Sequence, residues 1–171
     1  MKFSKVMALA GVTLLASGVL AACSGSGSSA KGEKTFSYVY ETDPDNLNYL
    51  TTGKAATANI TSNVIDGLME NDRYGNFVPS MAEDWSVSQD GLTYTYTIRK
   101  DAKWYTSEGE EYAPVKAQDF VTGLKYAADN KSEALYLVQD SIKGLDAYVK
   151  GEVKDFSEVG IKAIDDQTVQ Y

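Results

Sequence analysis

The turn pair Asp90-Gly91, set before a strictly alternating run, leaves few ways to fold the middle of this chain. Leu92, Tyr94, Tyr96 and Ile98 alternate there with Thr93, Thr95 and Thr97. Asp-Gly suits a tight turn whose central residues take positive φ, and period-two alternation marks a half-buried strand. Ala82–Arg99 is therefore predicted to form a β-hairpin. A one-residue slip would bury three threonines and expose two tyrosines, so the register is strongly specified.

Other segments follow the same logic. Thr35–Tyr40 alternates Phe36, Tyr38 and Tyr40 against Thr35, Ser37 and Val39 as a strand does, and Asp43-Pro44-Asp45-Asn46 breaks it as a turn. Asp43 and Asp45 do not begin a calcium loop, because Asn48 stands where glycine is needed and Lys54 where glutamate is needed. Ile60, Val64, Ile65, Leu68 and Met69 recur at helical spacing, which predicts a helix over Thr57–Glu70, followed by a turn at Asn71–Asn76. A second helix carries Phe120, Val121, Leu124, Ala127 and Ala128 on one face. Lys116 is its expected N-cap, a poor residue for that place, and Asp119 stands at N3, where a carboxylate suits the helix dipole. Leu135, Val138, Ile142, Leu145 and Val149 predict a third helix. Val159–Ile164 and Thr168–Tyr171 predict two strands around Asp165-Asp166.

Composition narrows the chemistry. The 24 acidic residues exceed 16 basic ones, giving a formal charge of −8, so phosphate backbones are repelled and no nucleic-acid partner is expected. No histidine is present, which removes imidazole bases, nucleophile–histidine pairs and the commonest zinc ligand. The lone cysteine, Cys23, makes neither an internal disulfide nor a thiolate cluster. Neither a metal nor a cofactor is expected. Glu108 with Glu110 or Glu111, and Asp165 with Asp166, could in principle serve a glycosidase as acid and base. Adjacent acids in turns are more often solvated, and the chain is read as a non-enzyme without catalytic residues. Trp104-Tyr105 could stack a sugar, although core packing is the commoner use.

The N-terminus reads as an address. Lys2 and Lys5 precede the apolar run Val6–Leu20, and small residues follow, as in a secretory signal peptide over residues 1–22. Leu20-Ala21-Ala22-Cys23 resembles the bacterial lipobox. That resemblance implies a diacylglyceryl group on Cys23 after cleavage, an anchor of two acyl chains that holds where one would not. Residues 23–34 comprise this cysteine and a flexible Gly/Ser-rich linker. The folded part is expected over 35–171.

Several motifs fall in one order: Asp66-Gly67-Leu68, Gly75 to Pro79, Ala82 with Trp85, Asp90-Gly91 with Tyr94, Arg99, Lys103-Trp104, and Ala117 with Asp119. The series resembles the extracellular solute-binding proteins of family 5, which serve peptide and nickel ABC importers. It covers roughly Phe36–Tyr171, and Val159–Val169 is similar to that family's later hairpin. The resemblance implies a mixed α/β (α+β) fold, the first lobe of a periplasmic-binding-protein-like type II architecture, incomplete at this length. It also implies capture of extended oligopeptides between two lobes through main-chain hydrogen bonds, a form of strand addition. The first-lobe residues meeting the peptide backbone fall at Gly53, Lys54 and Ala55, whereas Trp85, Asp90, Gly91 and Tyr94 are fold markers. Implied partners are oligopeptides, an ABC permease and its ATPase subunits. The expected state is a monomer, lipid-anchored on the extracellular face of the cell membrane.

Family members of this kind have two lobes, so the chain is expected to be a fragment or truncated product that binds peptide weakly or not at all alone. Two alternatives stay open: a surface interaction or adhesion lipoprotein, and a family member for a nickel or haem ligand.

Overall fold

The computed structural model describes residues 37–39 and 42–171. The predicted signal peptide, Cys23, the linker and the ends of the Thr35–Tyr40 strand lie outside the described residues. The middle of that strand, Ser37–Val39, is irregular and exposed, and it belongs to a separate unit from residues 42–171. This corrects the reading of Ser37–Val39 as strand. Alternation alone does not make one, since strand formation also depends on the surroundings of the segment.

The first helix, α1, is Ala55–Thr61, shorter than the predicted Thr57–Glu70. Its buried positions are Thr57 and Thr61, while Val64, expected on the apolar face, is 74% exposed. The threonines are buried at little cost because their hydroxyls donate to the carbonyls of Asn46 (2.7 Å) and Thr57 (3.0 Å). Met69 leaves the helical pattern for a strand, β1 (Met69–Asn71), paired antiparallel with β2 (Phe77–Pro79). Strand pairing overrides the helical spacing here. The Asn71–Asn76 turn forms, with the Asp72 carboxylate accepting from the N–H groups of Tyr74 (2.8 Å) and Asn76 (3.0 Å).

The hairpin predicted around Asp90-Gly91 is β3 (Ala82–Val87) and β4 (Tyr94–Ile98), with Trp85 opposite Tyr96 and Val87 opposite Tyr94. Its turn is longer than the two-residue form. Gly91 has φ +73°, whereas Asp90 stays at negative φ. Gly91 N–H donates to Ser88 O at 2.9 Å and Ser88 N–H to Thr93 O at 2.8 Å. Leu92 thereby falls in the loop and is 79% exposed, so the residues of the run that meet the core narrow to Ile98, which is buried, and Tyr96, which is half-buried.

A second hairpin, β5 (Lys103–Tyr105) with β6 (Glu111–Pro114), precedes α2 (Ala117–Asp129). Lys116 and Asp119 hold the predicted N-cap and N3 places of α2. The Asp119 carboxylate accepts from the Lys116 backbone N–H (3.0 Å) and from the Trp104 indole N–H (2.8 Å), so the cap comes from N3. The Lys116 ammonium reaches Asp166 instead (2.8 Å), tying the helix start to the turn at Asp165-Asp166. Trp104 and Tyr105 are not core residues: both are exposed, with Trp104 fixed through its polar edge.

The third predicted helix is broken. Leu135–Leu137 is a 3₁₀ turn and α3 covers only Leu145–Val149, with Gly144 at φ +74° before it. Another 3₁₀ turn, Phe156–Glu158, leads to β7 (Lys162–Ala163) and β8 (Thr168–Gln170).

The main sheet is antiparallel, in the order β3-β4-β8-β7. Strand β8 thus inserts between β4 and β7 rather than extending an edge, with Tyr94 and Tyr171 exchanging N–H to O bonds of 2.8 Å in both directions. Helix α2 packs across β7 and β8 and against α3. The core lies between them, formed by Ile98 and Val169 of the sheet, Ala127 and Ala128 of α2, Leu145 of α3, and Val159 and Ile161. Full burial of each large aliphatic side chain there contributes about 1.5–3 kcal/mol. Tyr171 closes one end of the sheet. Its ring meets Tyr96 edge-on at 6.0 Å, and burial pushes its phenol up to about 12.

Candidate ligand-binding site

Gly53, Lys54 and Ala55 lie in succession at the start of α1, all exposed, on a loop whose shape is set by short-range polar contacts. The Asn46 side-chain carbonyl accepts from Asn48 N–H (2.9 Å), and Asn48 O accepts from Thr51 N–H (3.1 Å), which curls 46–51 into consecutive turns. The Asn48 amide donates to the Tyr126 hydroxyl of α2 at 3.1 Å. Leu50 lies over Gly123 of α2, where an added Cβ would stand 3.9 Å from its methyl group.

Each of the three residues has a different environment. Gly53 N–H donates to the Glu133 carboxylate at 3.0 Å. Lys54 is the N-cap of α1 in extended conformation, its N–H donates to the Thr52 hydroxyl (3.2 Å), and its ammonium pairs with Asp45. Ala55 opens the helix, in the first turn, where backbone N–H groups have no partner inside the helix. The sequence reading assigned these three residues as one segment. It did not find Glu133 or the role of Asp45 beyond its turn. Glu133 is 80 positions from Gly53, with no local pattern to connect them, whereas the Asp45–Lys54 pair is a contact nine residues apart across a turn.

The carboxylates weighed as acid–base pairs are otherwise engaged. Glu111 pairs with Lys103 across the β5–β6 hairpin. Asp165 accepts from Gln167 N–H (2.8 Å) and the Thr168 hydroxyl (3.0 Å), and Asp166 from Lys116. The Ser107 hydroxyl holds Glu108 below the ordinary glutamate range, the opposite of what a general acid needs. Among the described residues, no group of three or more acidic, histidine or cysteine side chains is placed to hold a metal ion. Among them also, no helix is long and apolar enough to cross a membrane.

The fold markers behave unequally. Asp90 serves its turn, accepting from Leu92 N–H (3.1 Å) and from the Ser88 hydroxyl. Trp85 and Tyr94 are partly exposed and line an apolar cleft with Leu68, Met69, Phe77 and Tyr96.

Comparison with known proteins decides the family. A profile described as bacterial extracellular solute-binding proteins, family 5 Middle, matches residues 76–171. The chain belongs to this family. As a family 5 member it is 88% identical over 171 residues to the oligopeptide-binding protein AliA of Streptococcus pneumoniae serotype 4, covering all of this chain and 26% of that protein. It is 71% identical to the oligopeptide-binding protein SarA of Streptococcus gordonii over 177 residues, covering all of this chain and 27% of SarA. The chain therefore spans about a quarter of the length of these relatives. Among solved structures it is similar to OppA of Haemophilus influenzae in complex with RPPGFSPFR, at TM-score 0.65 and 29% identity over 75% of this chain and 24% of that one. Peptide-bound OppA of Listeria monocytogenes aligns at TM-score 0.63 and 30% identity over 72% of this chain and 24% of that one. The mixed α/β fold is thus part of an OppA-like binding-protein fold, as the family resemblance implied.

Proposed function

We propose that this chain contributes part of one lobe to an oligopeptide-binding component of an ABC importer. The observation that carries this reading is 88% identity along the whole chain to a protein named for oligopeptide binding. Two structural neighbours whose descriptions include a bound peptide support it. Gly53, Lys54 and Ala55 are assigned to the peptide main chain. They offer exposed backbone beside a helix start, the kind of surface that binds an extended guest without reading its side chains. Because the chain spans a quarter of its relatives, the opposing lobe must supply the remaining contacts and exclude water. The chain acts as a receptor and not as an enzyme, needs no cofactor, works as a monomer and hands peptide to a permease driven by ATPase subunits.

A chimera tests the assignment. With this chain replacing the 88%-identical segment of AliA, isothermal titration against mixed peptides is expected to give micromolar or tighter binding. Gly53→Pro, which removes the N–H given to Glu133, and Lys54→Glu, which sets a carboxylate beside Asp45, are each expected to weaken binding roughly tenfold. Unchanged affinity in both variants would remove Gly53, Lys54 and Ala55 from the site.

The anchor belongs to the same proposal. Cys23 carries the lipid and holds the receptor on the outer face of the cell membrane, with residues 24–34 as spacer. Labelled palmitate fed to cells expressing the chain is expected to enter the wild type, and Cys23→Ala is expected to lose the label and move to the medium. Equal labelling of both proteins would refute the anchor.

A further inference from the structure

We propose that Glu133 is the positioning residue of the Gly53–Ala55 segment: it holds these residues in the conformation that meets the peptide and touches no ligand itself. The inference rests on the peptide-binding reading above.

Contacts come from both the main chain and the side chain of Glu133. Its backbone N–H donates to Thr51 O at 3.0 Å. One carboxylate oxygen accepts from Gly53 N–H at 3.0 Å and from the Thr52 hydroxyl at 3.3 Å. Three consecutive residues ahead of the helix are thereby fastened to one glutamate. The approach is close: a Cβ added at Gly53 would lie 3.3 Å from Glu133 Cβ and 3.4 Å from its carbonyl oxygen. A side chain at 53 would press on Glu133 and require it to give by a few tenths of an ångström.

Glu133 is itself fixed from behind. Helix α2 ends in a cap in which Lys131 N–H donates to Ala128 O (3.1 Å) and Ser132 N–H to Ala127 O (2.9 Å). This is the Schellman arrangement, with Lys131 at φ 50° in the left-handed place that glycine usually takes. Among the described residues Lys131 is the one non-glycine with positive φ. Ser132 is buried, so the cap is set into the body of the fold and directs Glu133 outward onto the loop. A rigid support of this kind lowers the ordering cost when ligand arrives.

The electrostatics agree with the geometry. The Gly53 N–H, and after it the Thr52 hydroxyl, hold the Glu133 carboxyl below the ordinary glutamate range, with Lys54 adding a smaller attraction. The charged group that acts on the carboxylate is Lys54, itself paired with Asp45. A depressed pKa means that the tether is fully present above the ordinary range. It is lost as pH falls through the lower folded-state value.

The test uses the same AliA chimera, with peptide titration and hydrogen–deuterium exchange of segment 48–56. Glu133→Ala is expected to weaken peptide binding roughly tenfold and to speed exchange at the Gly53 amide, since both side-chain bonds vanish. Glu133→Gln keeps an acceptor and is expected to bind within about threefold of wild type. A merely structural glutamate would not produce the further difference: wild-type affinity falls at low pH by an extra step that Glu133→Gln lacks. Wild-type affinity and exchange in Glu133→Ala would overturn the inference. A wild-type chimera without peptide affinity would instead overturn the binding reading. In that case Gly53 exchange alone decides the tether: unchanged exchange in Glu133→Ala refutes it, and faster exchange upholds it.

Discussion

Replacing Ile98 with alanine is expected to cost about 3 kcal/mol of folding stability. Ile98 has no exposed surface, ends β4, and stands opposite Ala82 of β3 while its N–H reaches Gln167 O at 2.7 Å. It therefore sits where the β3–β4 hairpin meets the β8 side of the sheet. Neighbours held by those ladders cannot close onto a cavity, which places the cost in the middle of the range for large-to-small core changes. Leu92→Ala removes a side chain of similar size from the loop six residues earlier and is expected to stay within about 0.5 kcal/mol. Urea unfolding followed by tryptophan fluorescence measures both. Equal losses would mean that the alternation buries Leu92 after all.

A second large effect is expected at Gly144. Its φ is +74°, and an added Cβ would stand 3.0 Å from Glu158 O and 3.6 Å from Val159 Cα, backbone atoms that cannot swing aside. The opposing segment of this crossing is equally close, since a Cβ on Gly160 would lie 3.0 Å from Lys143 Cβ, and Gly160 N–H donates to Lys143 O at 2.7 Å. Gly144→Ala is expected to cost about 3 kcal/mol, from left-handed strain plus displacement of the 158–160 segment. Gly91→Ala isolates the first term, because φ is +73° but nothing lies within 4 Å, and a loss of about 1 kcal/mol is expected. If the two variants unfold at the same urea concentration, the close crossing contributes nothing.

What the sequence made legible was what short-range chemistry decides. The β3–β4 pairing follows from Asp90-Gly91 and the alternation after it, and the N3 role of Asp119 follows from counting back from the apolar face of α2. Errors arose where a distant partner decided the outcome. Met69 fits a helix until Phe77–Pro79 offers it a strand, and Ile142 continues a helical period that Gly144 interrupts with a left-handed residue. The buried face of α1 was hidden for a different reason. Threonine counts as polar in any periodicity, yet Thr57 and Thr61 are the inward residues because their hydroxyls find carbonyls. At the candidate site the loop was readable by its place ahead of a helix, whereas Glu133, the residue holding it, comes from beyond α2. No pattern within a dozen residues announces such a contact.

The place of β8 between β4 and β7 governs the order of events when the chain is made. Thr95 and Gln170 are register partners although 75 positions apart, and among the described residues nothing earlier takes the inner edge of β4. A ribosome releases the β3–β4 hairpin long before its other neighbour exists, so one row of amide groups and the Tyr96 ring wait in water until residue 170 has emerged. Closure of such a distant pair is slow compared with local turns. During that interval the open border is a place where a second nascent copy could pair. Until then the sheet cannot close, so everything made up to β7 waits on β8 to lock it.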